Sequence, residues 1–236
     1  MPDAGSPYAD TSPMYAVHDM FRREFALLPG LVRSTPASDA DRVRDVAAHI
    51  SLVSELLQHH HSAEDTVLWP RLLARAPKEI DPVVHLVEGH HLAIEDILGE
   101  TGGRLRAWAD GVAGDDGESL ATTLQRLAAA LYEHMALEES LILPLAERHI
   151  FATEWHEMGE QAAAGLRPET APIVAGMVMY EAGLDPLPEA MRAAAAEVGP
   201  QAYAAHCERV HGTSTPPRST EIIIGTPSFG APALTR

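Results

Sequence analysis

The sequence predicts an all-α protein: an up-down-up-down four-helix bundle over residues 13–150, with a flexible N-terminal arm at 1–12 before it. A C-terminal helical extension at 151–211 packs on the bundle as a layer of short helices, and 212–236 form an extended tail. Three observations carry this expectation. Apolar residues recur at steps of three and four through four long windows, the signature of helices that bury one face. The joining segments are short and hold Pro, Gly, Ser and Asp, and short connections make consecutive helices antiparallel neighbours. Each of the four apolar stripes is interrupted by histidine, alone or with glutamate, at matching depths.

Residues 1–12 are polar and rich in Pro, Gly and Asp, hence the arm. Helix A spans about Pro13 to Arg33, with the stripe Met14, His18, Phe21, Phe25, Leu28, Val32. After the turn at residues 34–38, Ser38 or Asp39 supplies the N-cap of helix B. Helix B carries Val46, Ile50, Val53, Leu57, His60, Glu64 and Val67 and runs to about Ala76, with Pro70 expected to kink or end its regular part. Asp81-Pro82 is a cap followed by a proline suited to the first helical position, so helix C starts there. Its stripe is Val84, Val87, His91, Ile94, Leu98; it loosens at Gly102-Gly103, with Leu105 and Trp108 beyond. An acidic glycine-rich loop, Gly111 to Gly117, leads to helix D, about Glu118 to Arg148, with Leu124, Leu127, Leu131, His134, Glu138, Leu141 and Leu145. Past residue 150, Pro and Gly punctuate four short helices: Thr153 to Ala164, Pro168 to Glu181, Pro186 to Val198 and Pro200 to His211. In the Ser/Thr/Pro-rich tail, Glu221-Ile222-Ile223-Ile224 is apolar enough to dock.

The polar interruptions are patterned. His60 to Pro70 and His134 to Pro144 both read H-x-x-x-E-[DE]-x-[VL]-[LI]-x-P. On a helix, residues four apart share a face with Cβ atoms roughly 5–6 Å apart, so each His and Glu can grip one metal ion or two adjacent ions. Imidazole with carboxylate suits iron, zinc or manganese. Burying a lone imidazole or carboxylate on a core stripe costs several kcal/mol unless it is paired or metal-bound. His18 and His91 lie near the starts of helices A and C, and His60 and His134 in the later halves of B and D. Antiparallel packing brings those ends together, so one shared metal site accounts for all four interruptions.

Composition narrows the partners. A formal net charge of −17 argues against nucleic acid and anionic membrane surfaces. No apolar run approaches the ~20 residues that span a bilayer, and the first residues lack the basic and apolar regions of a signal peptide. Cys207 is the only cysteine, so no intramolecular disulfide forms and a reducing, cytoplasmic location is expected.

With these motifs in place, residues 14–149 resemble the hemerythrin family, the HHE cation-binding four-helix bundles that hold a non-haem di-iron centre. The resemblance implies His18, His60, Glu64, His91, His134 and Glu138 as ligands of two Fe ions joined by an oxo or hydroxo bridge. The segments 152–165 and 202–212 are similar to the C-terminal part of longer, actinobacterial-type members. The chain departs from the oxygen-carrying members at Glu95, where they place a second third-helix histidine. Four histidines, two bridging glutamates and a bridging oxygen leave two coordination positions open, and His61, next to His60 and three before Glu64, is the foremost further ligand. His90, Glu95, Tyr132 and Tyr203 rank below it. The implied function is binding and activation of O2 or peroxide, as an oxidase, oxygenase or peroxidase acting on a small organic substrate. The alternative is reversible O2 or NO binding or sensing, or iron buffering, without turnover.

Other polar residues read more plainly. His59 is expected at the surface, as are His49, His85, His149, His156, His206 and His211, some of them as helix caps. Trp69, Trp108 and Trp155 read as core. Asp65 and Glu139 read as surface residues or as carboxylates that hold a ligand imidazole by its other N–H. Cys207 reads as inert. Glu88-x-x-His91 matches one element of ferritin-like sites, which need two; no second lies on these stripes.

Overall fold

Isolated helices of this length are marginal in water, so the apolar stripes rather than propensity hold the fold. The structure is a computed structural model that describes residues 7–76, 78, 81–111, 117–183, 187 and 189–223, and these fold as an all-α bundle. Helix α1 is Ser12–Ser34 and α2 is Ala40–Ala63, capped by the Asp39 carboxylate, which accepts from the Arg42 N–H at 3.0 Å. α2 runs through a wide π turn, Glu64–Leu68, into α3, Trp69–Arg75. α4 is Asp81–Ala109. α5, Glu118–Leu137, runs through a second π turn, Glu138–Ile142, into α6, Leu143–His149. α1 packs on α2, α2 on α4, α4 on α5, and α5 closes back on α1. No helix of the described residues is long and apolar enough to cross a membrane.

Two apolar clusters bracket one polar layer. The larger holds Phe21, Leu57, Ile94 and Leu131; the smaller holds Met14, Val67, Val87 and Ile142. On α1, the buried His18 falls between Met14 and Phe21. On the other three bundle helices, His60 with Glu64, His91, and His134 with Glu138 fall between their own members of the two clusters.

Local expectations fail where tertiary packing overrides sequence punctuation. α4 does not loosen at Gly102-Gly103 but runs unbroken to Ala109. Each glycine costs about 1 kcal/mol relative to alanine, whereas burying Leu105 and Trp108 on the same face returns about 1.5–3 kcal/mol for a leucine alone. Helix B runs on past Pro70 to Arg75, in line with its expected end near Ala76, but its irregular point lies ahead of the proline. Regular α geometry stops earlier, at Glu64, and resumes at Trp69, whose N–H reaches back to the Glu64 carbonyl. The widened turn shifts the hydrogen-bond register just ahead of the ring, which has no N–H to give. Residues 190–211, expected as two helices parted before Pro200, lie in one helix, α9 (Glu189–His211). It is clamped against α8 (Ala171–Ala182), and a Cβ on Gly176 would collide with the Gly199 carbonyl, so two glycines let these backbones meet.

Residues 7–11 are not a flexible arm. The Ala9 N–H donates to the Ile150 carbonyl and the Ala152 N–H to the Pro7 carbonyl, both at 2.9 Å, while Tyr8 stacks on Phe151 at 5.5 Å. Nor is the tail wholly extended: Ser219–Ile223 form α10, packed on α1. The rest of the arm (1–6), most of the acidic loop (112–116) and the tail from Ile224 lie outside the described residues.

The next helix, α7 (Ala152–Ala164), docks on α2 and the first π turn. Glu154 ties it down: its carboxylate accepts from both Arg75 guanidinium nitrogens at 2.6 Å and from the Phe151 N–H at 3.1 Å. The Arg75 hydrogen bond holds the Glu154 carboxyl down to about 2. A depressed carboxylate stabilises the fold above its unfolded pKa, near 4.5, and that contribution is lost as pH falls through about 2. Glu154→Gln is therefore expected to lower stability by about 1 kcal/mol at pH 7, discounted for partial exposure, and by far less at pH 2.5. Thermal melts at the two pH values check this.

Candidate metal centre

The repeated motif is a helix that widens at its own glutamate. Each π turn opens on that residue, Glu64 or Glu138, and the proline follows two residues after the turn. π turns are rare and concentrate at functional sites. Here each holds its glutamate inward, four residues past an inward histidine.

The structure brings seven side chains into the layer between the two apolar clusters. His61, Glu64, His91 and His134 form one group and His18, His60, Glu64 and Glu138 a second. Within each group the donor atoms lie within 4.8 Å of one another. That spread is comparable to the ~4 Å between opposite ligands of an ion with bonds of about 2.0–2.2 Å. Glu64 belongs to both groups: Oε1 lies 3.3 Å from His60 Nε2 and Oε2 lies 3.5 Å from His91 Nε2. Glu138 Oε2 lies 3.4 Å from His18 Nε2 and 3.5 Å from His134 Nε2. His61 stacks on His91, ring centres 4.1 Å apart. Glu95 is exposed and outside both groups; His90 is half-buried and outside both. The Tyr132 hydroxyl donates to the Arg22 carbonyl and the Tyr203 hydroxyl to Glu24, so neither joins these groups.

The fit to a metal is tested by the polar atoms themselves. His18 Nε2, His61 Nε2, His91 Nε2, both His134 ring nitrogens and all four carboxylate oxygens of Glu64 and Glu138 are buried without a hydrogen-bond partner. Buried polar groups are almost always satisfied, and leaving one unsatisfied costs about 1–3 kcal/mol. Donor atoms, one from each residue and most of them unsatisfied, gathered within 4.8 Å in each group are what a cation satisfies. The electrostatics agree. Burial pushes His60 down to about 3 and His134 to about 4, and drives His61 well below its usual value. These rings are neutral at pH 7, the form that ligates. Burial, reinforced by the charge of Glu138, drives Glu64 well above the carboxylate range, a penalty a divalent cation would remove.

The acidic residue after each glutamate orients an imidazole from another helix. Asp65 Oδ1 lies 2.7 Å from His91 Nδ1 and accepts from Trp69 Nε1 at 2.8 Å. Glu139 Oε1 lies 2.8 Å from His18 Nδ1 and 2.8 Å from the Arg22 guanidinium. Such carboxylates set the tautomer and raise the basicity of the nitrogen facing a metal. Burial pulls His18 down, but its partners Glu138 and Glu139 prevail and leave it raised.

Several polar residues expected at the surface are not there. His49 and His206 are buried and His211 is half-buried, facing Glu24 under α9. His85 and His156 are exposed, and His59 and His149 half-buried. Trp69 and Trp108 are core; Trp155 is half-buried and lines a cavity. Cys207 is fully buried, and burial pushes its thiol up to about 12, so it is inert.

The hemerythrin HHE cation-binding domain matches residues 10–146, more than half the chain and the whole region that carries both groups. No curated protein and no solved structure matches the chain. A helical bundle that buries two shared His/Glu groups at one depth, and that matches this domain along its bundle, is a member of the hemerythrin HHE cation-binding family.

Proposed function

We propose that His18, His60, His61, Glu64, His91, His134 and Glu138 hold two iron ions and that the chain uses them to bind and activate O2. The observation that carries this reading is a cavity of about 130 Å³ beside the site. Its floor includes His60, Phe21 and Ala63; its roof is Trp155, Met158 and Ala162 of α7 with Val174 and Val178 of α8. The C-terminal layer thus walls a small apolar chamber against a ligand imidazole. An apolar lining favours O2 over the more polar peroxide and would admit a small apolar substrate.

Bound there, an iron pair supplies the electrons and Lewis acidity that O2 reduction requires. The chain's own residues do the rest. Met158, Val178 and Phe21 give the cavity beside His60 an apolar wall. Asp65 and Glu139 fix His91 and His18. Glu64 would offer carboxylate oxygens to both groups and Glu138 to the group of His18 and His60.

One observation favours a second reading, reversible O2 or NO binding. His60 is the only titratable side chain among the described residues lining the cavity, so the chamber offers no separate proton donor. Mixing the reduced, iron-loaded chain with O2 separates the two. Activation is expected to give a transient species that decays as product is oxidised, whereas a carrier gives a stable adduct that releases O2 under vacuum. An iron content well below two per chain removes both readings.

A further inference from the structure

The bundle centre is not the only place where buried donor atoms face one another without partners. Glu24 on α1, His49 on α2 and His211 at the end of α9 place one carboxylate oxygen and two imidazole nitrogens within 4.8 Å of one another. Glu24 and His49 are fully buried. Glu24 Oε2, His49 Nε2 and His211 Nε2 are each buried with no hydrogen-bond partner. Glu24 and His49 use their other polar atoms elsewhere. Glu24 Oε1 accepts from Arg23 Nε at 3.0 Å, from a second Arg23 nitrogen at 2.6 Å and from the Tyr203 hydroxyl at 2.8 Å. His49 Nδ1 pairs with His206 Nε2 at 3.0 Å. The three atoms left over are the three that converge.

With His49 neutral, proton placement alone does not satisfy them. If His49 donates from Nδ1 to His206, its Nε2 lone pair faces Glu24 Oε2 at 3.2 Å, lone pair against lone pair. If His206 donates instead, His49 Nε2–H lies near Glu24 but outside hydrogen-bond geometry, and His211 Nε2 still has nothing. The local charge also leaves room for a cation, since Arg23 is the one guanidinium paired to both Glu24 and Glu181. Burial pushes His206 down to about 3 and His211 to about 4, so both rings are neutral at pH 7. Two imidazoles and one carboxylate with open positions are the donor set of mononuclear zinc and non-haem ferrous sites.

We infer that Glu24, His49 and His211 form a second metal site, separate from the bundle centre, that binds one divalent transition-metal ion of the zinc or ferrous class. Its ligands come from α1, α2 and α9, so the ion ties the C-terminal layer to the bundle. His206 acts as the positioning residue that holds His49 by its far nitrogen.

The test is zinc stoichiometry on the full chain, stripped with chelator, reloaded with Zn2+ and dialysed. His211 is half-buried, so His211→Gln is the least disruptive variant. It is expected to retain one zinc fewer than the wild type after dialysis, because that ion is held at least about 10–100-fold more weakly. Glu64→Ala, which breaks the bundle groups, is expected to keep this one. Equal stoichiometry in His211→Gln and wild type, or no zinc in a folded Glu64→Ala chain, overturns the inference. If either variant fails to fold, anomalous diffraction from Co2+-soaked wild-type crystals decides. A peak among Glu24, His49 and His211 is expected, and its absence overturns the proposal.

Discussion

Glu64→Ala is expected to empty the bundle centre: in the His211→Gln background, which removes the second site, iron per chain falls to roughly a tenth or less of its value with Glu64 in place. Losing a carboxylate or imidazole that merely supports a ligand already weakens metal sites about 10–100-fold, and Glu64 is placed to do more. Its two oxygens approach imidazoles of different groups, His60 in one and His91 in the other. Glu138 belongs only to the group of His18 and His60, so Glu138→Ala is expected to keep up to about half of the bundle-centre iron. A folding defect is excluded by the metal-free proteins. In the stripped wild type, Glu64 is fully buried with neither oxygen hydrogen-bonded, and its carboxyl is driven far upward. An unsatisfied buried group of this kind costs about 1–3 kcal/mol. Stripped Glu64→Ala should therefore melt no lower than stripped wild type, while the iron-loaded wild type melts well above both, since binding energy is folding energy. Wild-type iron content in Glu64→Ala would falsify the ligand assignment.

The same periodicity that reads the fold also explains what the sequence leaves hidden. The bundle is legible because Phe21, Leu57, Ile94 and Leu131 belong to long apolar stripes, so a histidine or glutamate interrupting one stands out as a polar residue on a buried face. Glu24 and His49 meet the same test: Glu24 is three residues after Phe21 and four before Leu28, and His49 is three after Val46 and four before Val53. What masks them is their neighbours and their distance. Glu24 follows Arg23 and reads as half of a solvated charge pair, whereas both are buried beneath Tyr203 and Met177. His211 is about 160 residues from His49 along the chain, and its partners depend on where α9 packs. An alanine-rich segment in which Gly199-Pro200 interrupts the sequence pattern gives no clear apolar stripe from which to place it. The π turns are hidden for a different reason. The sequence carries both helices past Pro70 and Pro144 but does not show that the widened turn falls ahead of each proline, at Glu64 and Glu138, with Leu72 and Leu145 packed beyond it.

Ala162→Phe is expected to slow the reaction of the reduced, iron-loaded chain with O2 by at least roughly tenfold, about 1.4 kcal/mol on the barrier, without changing iron content. Ala162 sits on α7 in the roof of the cavity, across from His60 and Ala63. The chamber measures about 130 Å³, and a benzyl group there takes space that O2 would need beside the imidazole. Ala162 is half-buried rather than locked in the core, so α7 can shift outward and overpacking stays within the usual ~1–3 kcal/mol. None of the seven inward donors is on α7, so the spectrum of the loaded chain should match wild type. Leu92→Phe serves as the control: that side chain is 64% exposed on α4, outside the chamber, and its rate should be unchanged. A wild-type O2 rate in folded, iron-loaded Ala162→Phe means O2 reaches the ions from another side, and the C-terminal layer then has no part in admitting it.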